Sequence, residues 1–178
     1  MTCRAIARDA SGSVYATGFF SGTQVDFDPG PGMANLTSTG VTTETDIFLA
    51  KYDAAGNYLW AKRIGSANDD DAYGLAVDGN GNVSITGYFM GTVDFDPGAG
   101  TSNLTSAGDW DIFIAQYDAS GNYLWAKQIG GTSNETSKSI AICCRKNGAR
   151  FACSRRKDSS PCNQLGIHSG AVVGLVMT

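Results

Sequence analysis

Two short segments of the sequence each place a pair of carboxylates two residues apart. The pairs are Asp26 with Asp28 and Asp94 with Asp96, each within the sequence Val-Asp-Phe-Asp-Pro-Gly. On a strand this spacing puts both carboxylates on one face, as a calcium site would require. The same residues also suit a strand that ends in a turn. Because calcium takes about six to eight oxygen ligands, we predict no metal or cofactor site, although calcium binding at these loops stays an open alternative.

A third motif has the alternating acidic and amide residues that open an EF-hand loop. These residues are Asp78, Asn80 and Asn82, but Val83 stands where the loop needs Gly and Phe89 where it needs a bidentate Glu. The motif therefore predicts a hairpin turn.

Residues 68–71, with the sequence Asn-Asp-Asp-Asp, stand just before an apolar segment. A run of like charges usually forms solvated chain. We therefore predict an exposed loop here, with a cation site as the less favoured alternative.

Four cysteines and the single histidine near the C-terminus are residue types that could bind zinc. These residues are Cys143, Cys144, Cys153, Cys162 and His168. Structural zinc sites pair cysteines about two to four residues apart. That spacing is absent, so no zinc site is predicted.

The sequence assembles no catalytic constellation. Ser-His-Asp catalysis would have to use His168, and no glycine motif that could cradle a phosphate opens a helix. We therefore predict no catalytic residue and no enzymatic activity. No apolar stretch reaches the roughly 18–20 residues of a membrane-spanning helix, and no signal peptide is recognised at the N-terminus.

An internal repeat dominates the 178-residue chain. Residues 46–65 return as residues 111–130 with sixteen identical positions, and residues 9–30 return as residues 78–98. Self-similarity of this kind is typical of repeat architectures.

The local signals within one repeat all indicate β-strands. Residues 73–77, 82–89, 111–117 and 122–129 are rich in apolar and β-forming side chains. Residues 118–121, Asp-Ala-Ser-Gly, predict a hairpin turn with Gly in the left-handed region. Residues 91–108 predict an extra hairpin or long loop.

Four strands per repeat predict an all-β fold of tandem four-stranded antiparallel blades, a partial β-propeller of about two blades plus one strand. The predicted divisions are an N-terminally truncated first blade (1–68), a second blade (69–136) and the start of a third blade followed by an aberrant tail (137–178). Because propellers close with about four to eight blades, we expect this chain to be part of a longer ring.

The repeat pattern ends abruptly after Ile142. Residues 138–178 contain seven Lys or Arg residues against one acidic residue, whereas residues 1–137 contain six against sixteen. No stacking aromatic pattern accompanies the basic charges, so no nucleic-acid partner is predicted. We interpret residues 143–178 as a frameshifted or misassembled reading of the DNA that encodes the next blade.

The spaced motifs resemble the SBBP-type β-propeller repeats of bacterial surface and secreted proteins. The segments that carry the resemblance are Leu75-Ala-Val-Asp-Gly-Asn-Gly-Asn-Val83, Thr86-Gly-Tyr-Phe89, Asp111-Ile-Phe-Ile-Ala-Gln-Tyr117 and Gly121-Asn-Tyr-Leu-Trp125. The resemblance implies a secreted or cell-surface location and a scaffold or adhesive role, and it carries over no catalytic residue.

The resulting hypothesis is a non-catalytic module that contacts a protein or glycan ligand and the remaining blades of a longer protein. Two alternatives stay open: a calcium-dependent carbohydrate- or matrix-binding propeller, and part of a propeller enzyme whose active site lies in other blades. The aromatic residues predicted to pack between blades are Tyr58, Trp60, Tyr123 and Trp125.

Overall fold

The computed structural model describes residues 1–40, 43–144 and 171–177. Every regular element among these residues is a β-strand, and this part of the chain contains no helix that could cross a membrane. The strands are β1 (Thr2–Arg8), β2 (Val14–Phe20), β3 (Val25–Asp26), β4 (Asn35–Leu36), β5 (Asp46–Tyr52), β6 (Tyr58–Ile64), β7 (Asp71–Val77), β8 (Val83–Asp94), β9 (Asn103–Tyr117), β10 (Tyr123–Ile129), β11 (Ser137–Cys144) and β12 (Ala171–Met177).

Two antiparallel sheets of four strands share one topology. The first blade has the order β1-β2-β5-β6, and the second blade has the order β7-β8-β9-β10. The central strands of the first blade pair without interruption, from Val14 opposite Tyr52 to Phe20 opposite Asp46. These sheets confirm the predicted all-β fold of tandem four-stranded blades, and they form a partial propeller rather than a closed barrel.

The connection between the second and third strands of each blade carries a small ribbon. In the first blade β3 and β4 form a separate ribbon, with Val25 opposite Leu36. In the second blade β8 and β9 extend past the sheet, with Thr92 opposite Thr105. These ribbons confirm the hairpin predicted within residues 91–108.

Four hairpin turns have the same construction because each places a glycine in the left-handed region. The backbone φ angles are 92° at Gly12, 89° at Gly56, 84° at Gly81 and 80° at Gly121. Asp118 Oδ1 accepts hydrogen bonds from the amides of Ser120 at 2.8 Å and Asn122 at 2.9 Å. The turn predicted at residues 118–121 is therefore confirmed, and its glycine is required by the positive φ.

Two glycines allow neighbouring strands to approach closely. A Cβ atom on Gly87 would stand 1.8 Å from the Asp71 carbonyl oxygen, beside the register shift between Ala72 and Gly74. A Cβ atom on Gly74 would stand 2.8 Å from the backbone nitrogen of Ile140 on β11. Any larger residue at these positions would push backbone segments apart.

The main apolar core crosses from one blade to the next. Ile47 and Leu49 of β5 lie in one buried cluster with Phe113 of β9. Phe48 and Ala50 point to the opposite face and join a smaller cluster confined to the first blade. Both faces of β5 are therefore apolar, which explains why a buried strand appears in the sequence as a continuous apolar run.

Strand β11 lies beside the second blade. The Ser137 hydroxyl lies 2.6 Å from the Thr86 hydroxyl and donates to the Gly87 carbonyl at 3.2 Å. The backbone of β12 pairs with β11 in antiparallel register, with Ile140 opposite Leu175. The frameshift hypothesis for residues 143–178 concerns a segment that lies largely outside the described residues.

Candidate functional site

The carboxylates of the first Val-Asp-Phe-Asp-Pro-Gly segment hold the backbone of their own loop. Asp26 Oδ1 accepts hydrogen bonds from the amides of Asp28 at 3.0 Å and Ala34 at 2.9 Å. Asp28 Oδ1 accepts from the Gly30 amide at 2.7 Å. The amides of Ala34 and Asp28 lower the pKa of Asp26, because they stabilise its charged form.

The second segment repeats this arrangement. Asp94 Oδ1 accepts from the amides of Asp96 at 3.0 Å and Ser102 at 2.8 Å, and Asp96 Oδ1 accepts from the Gly98 amide at 2.8 Å. Within the described residues, no group of three or more His, Cys, Asp or Glu side chains converges as a metal centre would require. Each acidic pair therefore acts in the structure as a loop-forming element.

The phenylalanine between the two carboxylates anchors each loop on its blade. Phe95 is fully buried, with its ring centroid 5.5 Å from that of Phe89 and 5.0 Å from that of Phe113. Its carbonyl accepts a hydrogen bond from the Tyr117 hydroxyl at 3.0 Å. Both copies of the segment contain the pattern that indicates this anchor, an apolar phenylalanine between two acidic residues.

The motif at residues 78–82 forms the hairpin turn that the sequence predicts. Asp78 Oδ1 accepts hydrogen bonds from the amides of Asn80 and Asn82, both at 2.8 Å. This carboxylate therefore stabilises a turn between β7 and β8.

The prediction of an exposed loop at residues 68–71 is wrong for two of its residues. Asp70 is fully buried and Asp71 is only 5% exposed. Asp70 Oδ2 accepts from the Ser66 amide at 2.7 Å, and its Oδ1 accepts from the Met90 amide at 3.0 Å. Backbone amides thus compensate the burial, an arrangement that a local charge count could not predict.

The segment Asp69–Asp71, here called the acidic link, joins the two blades. The Asp70 amide donates to the Thr45 carbonyl at 2.8 Å, and the Thr45 amide donates to Asp69 Oδ1 at 2.9 Å. The Thr45 hydroxyl donates to Asp71 Oδ1 at 2.9 Å. Burial raises the pKa of Asp70 to about 7, although its hydrogen bonds act in the opposite direction.

Beside the acidic link lies a group of rings and cations, here called the aromatic–cation cluster: Arg4, Tyr73, Tyr88, Trp110 and Lys138. The Tyr88 and Trp110 rings are stacked, with centroids 5.0 Å apart and an interplanar angle of 25°. The Tyr73 ring lies 6.0 Å from Tyr88. Arg4 Cζ lies 5.0 Å and Lys138 Nζ lies 4.3 Å from the centroid of Tyr73.

The acidic link orients this cluster, since the Tyr73 hydroxyl donates to Asp71 Oδ2 at 3.3 Å. Burial raises the pKa of Asp71, and the hydrogen bonds from Thr45, Tyr88 and Tyr73 oppose that change. The three rings are half-buried, while the Arg4 and Lys138 side chains are exposed. Sequence reasoning missed the cluster, although Arg4, Tyr73 and Lys138 occupy one equivalent position of the repeat.

Trp60 lies between the blades, as predicted. Its Nε1 donates to the carbonyl of Ala119 in the second blade at 3.4 Å, and its ring centroid lies 6.1 Å from that of Tyr15. The tryptophan therefore links the outer strand of one blade to a hairpin turn of the next.

The other three aromatic residues predicted at the blade interface make contacts inside their own sheets. The pairs are Tyr58 with Tyr52, Tyr123 with Tyr117, and Trp125 with Gln116. The residues of the zinc hypothesis, Cys143, Cys144, Cys153, Cys162 and His168, lie outside the side chains that the structure describes.

Comparison with known proteins identifies the repeat. Residues 59–88 match the family model for the SBBP β-propeller repeat. The chain is 30% identical over 152 residues to Regulatory protein FlaEY of Caulobacter vibrioides, an alignment covering 85% of this chain and 15% of that protein. It is 32% identical over 98 residues to Uncharacterized WD repeat-containing protein L264 of Acanthamoeba polyphaga mimivirus, covering 47% of this chain and 7% of that protein.

The chain therefore corresponds to a small part of the length of both relatives. The family match crosses β6, the acidic link, β7 and β8, the region where the first blade passes into the second. Residues 59–88 therefore match an SBBP β-propeller repeat, in agreement with the four-stranded blades and the repeated motifs of the chain.

Proposed function

We propose that the chain is a non-catalytic part of a β-propeller interaction module in a bacterial secreted or cell-surface protein. The observation that carries the proposal is the aromatic–cation cluster, which draws side chains from both blades and from β11. A ligand that contacts this cluster would touch three consecutive repeats at once.

The composition of the cluster suits molecular recognition. Tyr, Trp and Arg are enriched among residues that dominate binding energies, because each combines a large contact area with a polar group. Hydrogen bonds to Asp71 and ring stacking fix Tyr73, Tyr88 and Trp110 before any ligand arrives. Little conformational entropy would be lost on binding, which favours affinity.

The family resemblance supports the proposed secreted or cell-surface location, and one relative is bacterial. The structural use of the acidic residues supports a non-catalytic role. Asp26, Asp70 and Asp94 all accept hydrogen bonds from backbone amides, as parts of loops and blade junctions. These carboxylates are engaged in building the fold.

A regulatory role through protein contacts is a second candidate. It is favoured by the 30% identity to a relative named as a regulatory protein, over 85% of the present chain. The aromatic–cation cluster would serve such a role equally well, with a protein as its ligand.

A binding panel tests the interaction role. The full chain is titrated against purified bacterial polysaccharides and extracellular-matrix proteins, and the Trp110→Ala variant is compared with the Leu124→Ala variant. Leu124 is 44% exposed on β10 and lies outside the cluster, so it provides a matched loss of exposed apolar surface. We expect Trp110→Ala to weaken binding at least about tenfold, and Leu124→Ala to leave it unchanged.

Equal binding by both variants would contradict the role of the cluster. Fractionation of the producing bacterium, with protease treatment of intact cells, tests the proposed location. Protection of the protein from external protease, together with its recovery in the cytoplasmic fraction, would favour the regulatory candidate.

A further inference from the structure

The outer edge of the first blade carries a second feature, distinct from the aromatic–cation cluster. Strand β6 is the last strand of its sheet, with β5 as its neighbour on one side. Alternate residues of such a strand direct N–H and C=O groups away from the sheet. The β6 edge therefore offers main-chain donors and acceptors, of which the Ala61 amide already donates to the Tyr58 hydroxyl at 2.9 Å.

A cleft of about 480 Å³ runs along this edge. Ala61, Lys62 and Arg63 of β6 line it on one side, and the loop of residues 94–98 lines it on the other. Its volume lies within the roughly 300–1,000 Å³ typical of ligand sites. The second blade thus supplies one wall of a groove whose opposite wall is a strand edge.

Charges of opposite sign face each other across the cleft. Asp94 and Asp96 each use Oδ1 to hold their loop, while the Oδ2 atoms accept no hydrogen bond from the residues that the structure describes. Arg63 is paired with Asp46 at 2.9 Å. Within the described part of the chain, Asp94 and Asp96 form no ion pair with Lys62 or Arg63.

We propose that this cleft binds an extended polypeptide, which adds a strand to β6 and places a Lys or Arg side chain against Asp94 and Asp96. An extended backbone is the partner that matches the N–H and C=O groups of a strand edge. The two free carboxylate oxygens select a basic side chain.

The first blade offers a matched control for this site. Its equivalent loop, with Asp26 and Asp28, holds its backbone in the same way but lines a different cleft, formed with Gly56, Asn57 and Tyr58 of its own blade. That cleft contains no cation and no run of strand-edge residues. Asn can replace each aspartate while retaining the Oδ1 acceptor, so both loops should keep their shape.

The probe is a fluorescein-labelled eight-residue peptide of alternating Thr and Val with two central Lys residues, measured by anisotropy on the full chain. A second peptide has Gln in place of both Lys residues, and a third carries N-methyl groups on alternate backbone amides. We expect saturable binding of the Lys peptide, about tenfold weaker binding of the Gln peptide, and loss of binding for the N-methylated peptide.

The double variant Asp94→Asn/Asp96→Asn should weaken the Lys peptide about tenfold and leave the Gln peptide unchanged. The control variant Asp26→Asn/Asp28→Asn should leave the affinities for both peptides unchanged. Circular dichroism verifies that both double variants fold. Equal affinities for the Lys and Gln peptides, insensitivity to N-methylation, or absence of binding would overturn the proposal. A stable dimer in light scattering that the Lys peptide fails to dissociate would overturn it as well, because a second copy would then occupy β6.

Discussion

The two Val-Asp-Phe-Asp-Pro-Gly connections build nearly the same ring arrangement in different surroundings. Phe27 lies 5.5 Å from Phe20 and 5.2 Å from Phe48, closely matching the distances around Phe95. The cluster around Phe27 contains only first-blade residues, whereas Phe95 joins a core that includes Ile47 of the neighbouring blade.

The tyrosines that bind these connections show the same difference. Tyr52 and Tyr117 each donate to the phenylalanine carbonyl at 3.0 Å. Burial raises the pKa of both hydroxyls, and it does so most strongly for the fully buried Tyr117. One repeat sequence therefore specifies the local geometry and nearly the full burial of its phenylalanine, whereas the tyrosine is fully buried only in the second blade. The phenylalanine of the second copy also joins a core shared with the neighbouring blade, as expected when stability is shared between neighbouring repeats.

The largest expected effect follows from truncating the anchor that both blades share. Phe95→Ala should lower the free energy of unfolding by about 4 kcal/mol, since it opens a cavity in the continuous core. Phe27→Ala should cost less, about 3 kcal/mol, because the buried cluster around that ring is smaller and is confined to the first blade. Urea denaturation of both variants measures the difference. Equal losses would show that the neighbouring blade adds little to the anchor.

A second pair of variants compares the tryptophans of the outer strands. Trp60→Ala should cost about 3 kcal/mol, because Trp60 packs on Tyr15 and contacts the Ala119 carbonyl of the second blade. Trp125→Ala should cost less, since its indole donates to Gln116 of its own blade at 2.9 Å. Thermal unfolding shows which of the two variants loses more stability. A larger loss of stability for Trp125→Ala would contradict the proposed linking role of Trp60.

The acidic link gives a pH-dependent comparison of buried and exposed carboxylates. Because the folded pKa of Asp70 is raised to about 7, its protonated form favours the folded state. The contribution of Asp70 to the free energy of unfolding is therefore complete below pH 4 and is lost as pH rises toward 7. The free energy of unfolding should fall by up to about 1.4 kcal/mol per pH unit in this range. Exposed Asp26, whose pKa is lowered, instead loses its contribution only as pH falls below about 4.

Urea denaturation between pH 4.5 and 7.5 measures this slope. Asp70→Asn should flatten it, because Asn resembles the neutral acid and does not titrate. A smaller slope should remain, since burial also raises the pKa of Asp71. If the free energy of unfolding of Asp70→Asn changed with pH as steeply as that of the unaltered protein, the pH dependence would come from other groups.

The predictable and unpredictable features of the chain have different physical origins. The alternation and turn residues of one repeat determine strands, blade topology and the turn at Asp118. The burial of Asp70 depends on the Met90 amide twenty residues away, and the stacking of Tyr73 depends on cations from other repeats. Such non-local contacts leave no periodic pattern in the sequence. The only sequence feature of the aromatic–cation cluster is that Arg4, Tyr73 and Lys138 occupy one equivalent position of the repeat.

The smallest predicted effect concerns a position at which the two copies differ, Lys51 and Gln116. Lys51 Nζ lies 3.6 Å from Asp9 Oδ2 and 4.7 Å from the centroid of the Tyr15 ring, and it donates to the Ala119 carbonyl of the second blade at 3.2 Å. Lys51→Gln should therefore cost about 1 kcal/mol, a typical value for a hydrogen bond and a cation–π contact at a partly buried site. The matched control is Lys127→Gln, which removes the same charge from an exposed position on β10 and should change stability by less than about 0.5 kcal/mol. If urea denaturation gave equal values for the two variants, the Lys51 contacts would add nothing to the stability of the blade interface.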